Sequence, residues 1–127
     1  HHSIVQELIT LFRKKGYVTL SNEFVDLFAH DGERSFLFEV KSTENKNFRS
    51  QARKGIVQLY EYDYFEISKF KQENNFKFKD QYKILAPSRE PKDEKYVHFI
   101  NSLDLGVAMV NETGLKSIGK DFGFSKL

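Results

Sequence analysis

Two β-rich runs, Phe24–His30 and Ser35–Lys41, flank the dipeptide Asp31-Gly32, and this punctuation commits the middle of the chain to an antiparallel hairpin. Side chains alternate between faces along a strand. Phe36, Phe38 and Val40 therefore share one face, and Leu37, Glu39 and Lys41 share the other. The run "FLFEVKST" thus reads as a strand apolar on both sides that still carries a carboxylate and an ammonium aimed into one spot. The hairpin supplies a third charge. A two-residue loop sets Asp26 opposite Leu37 and diagonal to Glu39, whereas a four-residue loop, Asp31 to Arg34, sets it directly opposite Glu39. Either even loop converges Asp26, Glu39 and Lys41 among Phe24, Phe28 and Leu37; an odd loop separates them unless a bulge restores the face.

The remaining pattern encloses that hairpin. Ile4, Leu8, Leu11 and Phe12 recur at helical spacing, so Ile4–Lys15 reads as a helix stopped by Gly16. Tyr17–Leu20 reads as a short strand. A long helical pattern runs from Phe48 to about Phe70, and Gln81–Ala86 is a strand closed by Pro87. Asp93–Leu103 is a helix with Tyr96, Val97, Ile100 and Leu103 on one side. Gly106–Val110 is a strand, and Leu115–Ile118 adds a last one after Asn-Glu-Thr-Gly. The order α-β-β-β-α-β-α-β, with a final β, predicts an α/β fold with a central mixed sheet flanked by helices.

At 127 residues the chain suits one domain, Ser3 to Leu127, and His1 and His2 read as a tag remnant. Thirteen Phe and six Tyr with no Trp point to a core of aromatic rings. The absence of cysteine excludes disulfides, thiolate zinc sites and cysteine nucleophiles, and fits an intracellular (cytoplasmic) protein. Neither a membrane-spanning run nor a signal peptide is evident. A net charge of +2 is too small to establish a polyanion partner and permits one where cations cluster.

Three charges in an apolar setting are costly unless compensated. A divalent cation between the carboxylates provides compensation, and two carboxylates with room for waters suit Mg²⁺, with Mn²⁺ as a substitute, better than zinc. A cation there polarises a phosphoryl oxygen, and the neighbouring ammonium orients water or offsets growing negative charge, which is the chemistry of phosphodiester hydrolysis. The competing reading is an ordinary surface Glu-Lys pair beside an unrelated aspartate.

Asp26 in "FVDLFA" and Glu39-Val40-Lys41 in "FEVKS", separated by a hairpin, resemble the D…(E)XK signature of the PD-(D/E)XK, or restriction-endonuclease-like, nuclease superfamily. Val25 stands where that signature has proline. The resemblance implies that Asp26, Glu39 and the Val40 carbonyl bind the metal and that Lys41 serves the attacking water. In "RSQARKGIVQLYEYDYF", Gln58 and Tyr62 lie four apart on one helical face, with Gln51 and Gly55 extending it, which resembles the QxxxY motif of some branches. It implies that Gln58 fixes Lys41 or a phosphate and that Tyr62 supports it. Gly55, unfavourable by about 1 kcal/mol inside a helix, predicts a close approach of helix and sheet. Glu7 on the first helix is a further candidate metal ligand, because many members of the superfamily draw an acid from there.

Lys46, Arg49, Arg53 and Lys54 cluster at the start of the long helix, where they are candidates for contacting phosphates. No helix-turn-helix, zinc finger or Arg-rich recognition helix is evident. His30 lies roughly 13 Å along the strand from Asp26, too far to share its cation. The expectation is a Mg²⁺-dependent endonuclease domain acting on DNA, the cleavage module of a larger restriction or repair enzyme working as a homodimer or with a specificity subunit. The alternative is a non-catalytic module on the same fold that binds nucleic acid or protein.

Overall fold

Residues 2–44, 46–124 and 127 are described by a computed structural model. Helix α1, His2–Lys14, forms because Val5, Leu8 and Phe12 fall on one stripe and are buried, with Arg13 and Lys14 complementing its C-terminal dipole. Ile4 and Leu11, expected on that stripe, sit at its half-exposed margins, and Val5 takes the buried place. Gly16 at φ +83° ends the helix. Strands β1 (Val18–Leu20), β2 (Leu27–His30) and β3 (Arg34–Lys41) follow.

The long helical pattern is one path in three parts. Helix α2 spans Phe48–Tyr62, a π-helical segment Asp63–Ile67, and helix α3 Ser68–Asn74, ending at Asn75 with φ 57°. Strand β4 is Asp80–Pro87, helix α4 Glu94–Ser102, β5 Gly106–Asn111 and β6 Gly114–Ser117. Asp93 caps α4 by accepting from the Tyr96 amide at 3.2 Å.

The strands form one mixed sheet in sequence order, β1-β2-β3-β4-β5-β6. The β1/β2, β2/β3 and β5/β6 pairs are antiparallel, and β3/β4 and β4/β5 are parallel. Crossovers through α2–α3 and through α4 return the chain for those parallel pairings. Strand β3 is central and covered on both faces, which explains its two-sided apolar run. One face packs Phe36, Phe38, Val40, Leu27 and Ile84 against α1 through Leu8 and Phe12. The other packs Leu37, Phe28 and Leu85 against α2 and α4 through Ala52, Leu59, Val97 and Ile100. The aromatic expectation holds: Phe12 meets Tyr17, Phe36 and Phe38 at ring-centroid distances of 5.2, 5.3 and 5.5 Å.

The β2/β3 register pairs His30 with Ser35, Ala29 with Phe36, Phe28 with Leu37 and Leu27 with Phe38. This is the four-residue alternative. Asp31 builds the turn, its Oδ1 accepting from the amides of Glu33 and Arg34 at 2.9 and 2.7 Å, with Gly32 at φ +93°. Strand β2 is shorter than expected. Asn22 Oδ1 accepts from the amides of Phe24 and Val25, each at 2.8 Å, so Phe24–Asp26 belongs to a turn before β2 begins.

Candidate active site

Continuing the hairpin register one step beyond Leu27 and Phe38 sets Asp26 across from Glu39. The Val40 amide donates to Asp26 Oδ2 at 2.8 Å, which turns the aspartate toward β3. Glu39 lies on the face of Leu37, under α2, and is only 4% exposed. Lys41 Nζ reaches Glu39 Oε1 at 3.2 Å. The three side chains expected to converge therefore meet on one face at the C-terminal end of β3. Beyond Lys41 the strand ends are laced together. The Ser88 amide donates to the Lys41 carbonyl at 2.9 Å, the Thr43 amide to Ser88 Oγ at 2.8 Å, and the Arg89 amide to Thr43 Oγ1 at 3.2 Å.

Burial, and then the Asp26 carboxylate beside it, push the Glu39 carboxyl up to about 7, with Lys41 opposing the rise. Burial also raises Asp26, against the Val40 N–H and Lys41. Two carboxyl groups in contact resist double ionisation, so one proton is retained between them near neutrality. It resides on Glu39, because Asp26 has the backbone donor. Glu39 Oε2 is buried, and among the described residues no N–H or hydroxyl reaches it. A buried carboxylate with an unused oxygen beside a second carboxylate is a costly arrangement that a cation relieves.

Helix α2 roofs this cluster. A Cβ at Gly55 would collide with Leu85 Cδ1, so the glycine is what lets the helix pass close over Leu85, with the Lys41 stem in ordinary contact at 3.5 Å. Gln51 Nε2 donates to the Ser42 carbonyl at 3.1 Å, tying the helix to the end of β3. Further along the same face, Tyr62 is half-buried; burial and the nearby Glu39 charge raise its hydroxyl, and a hydrogen bond from Gln58 opposes that rise. Gln58 Oε1 is left buried without a partner among the described residues. Gln58 and Tyr62 thus lie near one another on the side of α2 toward Glu39.

Other expectations need correction. Glu7 is exposed on α1, whose buried stripe packs on the opposite face of the sheet through Phe36, Phe38 and Val40. It borders a groove with Glu112 and Thr113 instead, so it is not placed to join Asp26 and Glu39. Phe24 does not wall the cluster: it is 51% exposed because the Asn22 turn lifts it off the sheet. His30 needs no correction: as expected it lies away from the cluster, buried at the far end of the hairpin among Phe28, Phe70, Phe76 and Phe78, and burial lowers its basicity.

The four basic residues divide. Arg49 is engaged, its Nε and Nη2 on the two Asp93 oxygens at 2.5 and 3.2 Å and its guanidinium 5.1 Å from the Tyr96 ring centre. Arg53 also lies over Tyr96, at 5.8 Å. Lys46 is exposed beside a cleft of about 400 Å³ where Thr43, Arg89 and Lys92 also line the wall, and Lys54 is exposed on α2. Arg89 and Lys92 come from the β4–α4 connection, and the strand-end lacing brings that connection beside Thr43. No local sequence pattern marks that juxtaposition.

Among the described residues, no group of three or more His, Cys, Asp or Glu side chains gathers as a metal site. Asp26 and Glu39 are two, oxygen-only, and one oxygen is without a partner. That set fits Mg²⁺, which keeps several waters and takes one or two carboxylates, and fits zinc poorly. Among the same residues no helix is long and apolar enough to cross a membrane. No family profile, curated protein or solved structure matches the chain.

Proposed function

We propose that this chain is a Mg²⁺-dependent nuclease domain that hydrolyses DNA phosphodiester bonds, with a restriction-endonuclease-like core. The observation that carries the reading is the meeting of Asp26, Glu39 and Lys41 on one face, with Glu39 Oε2 buried and unpartnered. The Gln58–Tyr62 pair beside Glu39 supports it, being the second part of the resemblance to PD-(D/E)XK enzymes.

Asp26, Glu39 and the Val40 carbonyl would hold the cation, with Mn²⁺ able to replace Mg²⁺. When bound, it neutralises the carboxylates and stabilises negative charge on the phosphoryl oxygens. The other roles belong to side chains. Lys41, held by Glu39 and by the Gly55 crossing, presents a positive charge to the attacking water and to the charge that develops on phosphate. Gln58 has an amide oxygen free to fix the lysine or a water, and Tyr62 orients Gln58. Hydrolysis joins the water oxygen to phosphorus and breaks one P–O ester bond, the leaving oxygen taking a proton.

The test is incubation of supercoiled and linear DNA with the protein in Mg²⁺, Mn²⁺ or EDTA, alongside Glu39→Ala and Lys41→Ala. Cleavage that needs metal and disappears in both variants supports the enzyme. Calorimetric titration with Mn²⁺ separately reports whether Asp26 and Glu39 bind a cation. DNA binding without cleavage or Mn²⁺ uptake would make the chain a non-catalytic binding module.

A further inference from the structure

The cleft of about 400 Å³ whose walls include Thr43, Lys46, Arg89 and Lys92 lies beyond the carboxyl ends of the parallel strands β3 and β4. In open α/β sheets the crevice outside such strand ends is where ligands bind. Three acidic side chains share those walls, and two of them are already engaged. Asp93 holds Arg49 at 2.5 Å, and Glu90 holds Lys116 at 2.6 Å. With those pairs set aside, Lys46, Arg89 and Lys92 stand against Glu44 alone, three cations to one carboxylate. Among the described residues none of the three has an ion-pair partner. The backbone that carries them is fixed. Thr43 is 4% exposed, its Oγ1 accepts from the Arg89 amide at 3.2 Å, and its own amide donates to Ser88 Oγ at 2.8 Å. At the other end of the connection Asp93 caps α4, so Arg89 and Lys92 ride on a segment anchored on both sides.

We infer that this cleft is a phosphate subsite, in which Arg89, Lys92 and Lys46 hold a phosphodiester group of the nucleic-acid strand that neighbours the one presented to Asp26 and Glu39. The inference rests on the nuclease reading for the strand that passes Lys41, while the choice of a phosphate comes from the charge of the cleft itself. The chain joins the two places. The Ser88 amide donates to the Lys41 carbonyl at 2.9 Å, and Thr43 lies two residues past Lys41. That separation is roughly 7 Å along an extended chain, the axial rise of about two nucleotides in one strand. A strand seated at the carboxylates therefore brings a neighbouring phosphate to the cleft. The Arg89 guanidinium supplies a planar fork matched to phosphate oxygens, and the two lysines add point charge. Such a subsite grips the backbone without reading a base, so it sets the register of the strand and lowers KM without raising kcat.

The experiment uses two probes in EDTA. Inorganic phosphate titrated into isotope-labelled protein should shift the amide NMR signals of Thr43, Arg89 and Lys92 and leave those of Asp26 and Glu39 in place, because carboxylates without a metal repel an anion. The shifts should vanish in Arg89→Ala. Fluorescence anisotropy of a labelled oligothymidylate across a salt series should give a slope of log affinity against log salt that is smaller by about 0.7 in Arg89→Ala and in Lys92→Ala, with affinity lowered about threefold to tenfold. Lys69→Ala, which removes an exposed cation on α3, should change neither. Arg89→Lys should keep the slope and lose part of the affinity. No phosphate shift at those amides, no oligothymidylate binding, or native slopes in both alanine variants overturns the subsite. So does tighter binding of polyglutamate than of the oligothymidylate, since the cleft would then seat an acidic protein segment. In Mg²⁺ the two alanine variants should raise KM and leave kcat nearly unchanged. Metal-dependent cleavage at native KM in both sinks this inference and leaves the nuclease standing. Oligothymidylate binding that depends on Arg89 and Lys92, without cleavage, does the reverse.

Discussion

The Val40 amide that donates to Asp26 Oδ2 at 2.8 Å belongs to the peptide unit following Glu39, so one carboxylate is aimed by the backbone that carries the other. The contact also offsets the cost of charge on Asp26, which decides where the retained proton sits. In Asp26→Asn the amide oxygen can still accept from Val40, so the hairpin persists, while the charge beside Glu39 is gone. Glu39 should then titrate closer to an ordinary glutamate, and Mn²⁺ affinity should fall by about tenfold or more. Carboxyl-carbon NMR titration and calorimetry check the two effects separately.

Glu39 gives the metal-free protein a pH dependence of definite sign. Its folded value of about 7 lies above its unfolded 4.5, so between these pH values the native state holds more protons than the unfolded one. Stability therefore falls as pH rises through that window. Urea unfolding at pH 5 and pH 8 should show the decline in the native sequence and a flatter profile in Glu39→Gln. The two profiles should differ by on the order of 1–3 kcal/mol. Divalent affinity should run the opposite way, rising with pH until Glu39 is ionised.

Replacing Gly55 by alanine improves helix propensity by about 1 kcal/mol and still destabilises, because the new methyl collides with the buried Leu85 side chain. The expected net loss is about 1–2 kcal/mol. Cleavage should fall with stability, since a shift of α2 away from Leu85 also moves the roof over Lys41. Leu85→Val in the same protein makes room and should recover part of both, as chemical denaturation and single-turnover rates would show.

Lys54 and Arg49 separate two uses of positive charge. Lys54 is exposed on α2, and Lys54→Ala should reduce the slope of log affinity for DNA against log salt by about one. Arg49 is committed to Asp93 and Tyr96, so Arg49→Ala should leave that slope nearly unchanged and lower stability only slightly. Affinity measured across a salt series distinguishes the outcomes.

What the sequence disclosed followed from periodicity and short-range chemistry. Alternation along Phe36–Lys41 assigned both faces of β3, and either even loop at Asp31 carried Asp26 to the face of Glu39, the register selecting the four-residue one. The four-residue spacing of Gln58 and Tyr62, with a glycine one step earlier, likewise told which side of α2 faces the sheet. The misses involve competition between local bonds and pattern. Phe24 has strand-like neighbours, yet Asn22 captures two amides and lifts it into solvent. The π-helical segment leaves the apolar spacing of Tyr62 to Phe70 readable as plain helix, so the exposure of Tyr64 and Phe65 had no signal. Glu7 shares α1 with Leu8, but which side of the sheet receives α1 is a question of chain path that helical spacing does not address.

The sheet also divides the molecule into two chemical territories. Toward α1 it presents hydrocarbon alone at Phe36, Phe38 and Val40, while every ionisable group of the cluster points the other way. Methyl groups gained or lost beneath α1 change melting behaviour through packing and leave the proton and cation balance across the septum as it was. A lineage descended from such a protein can therefore retune its thermal tolerance on one side while the charged side stays under separate selection.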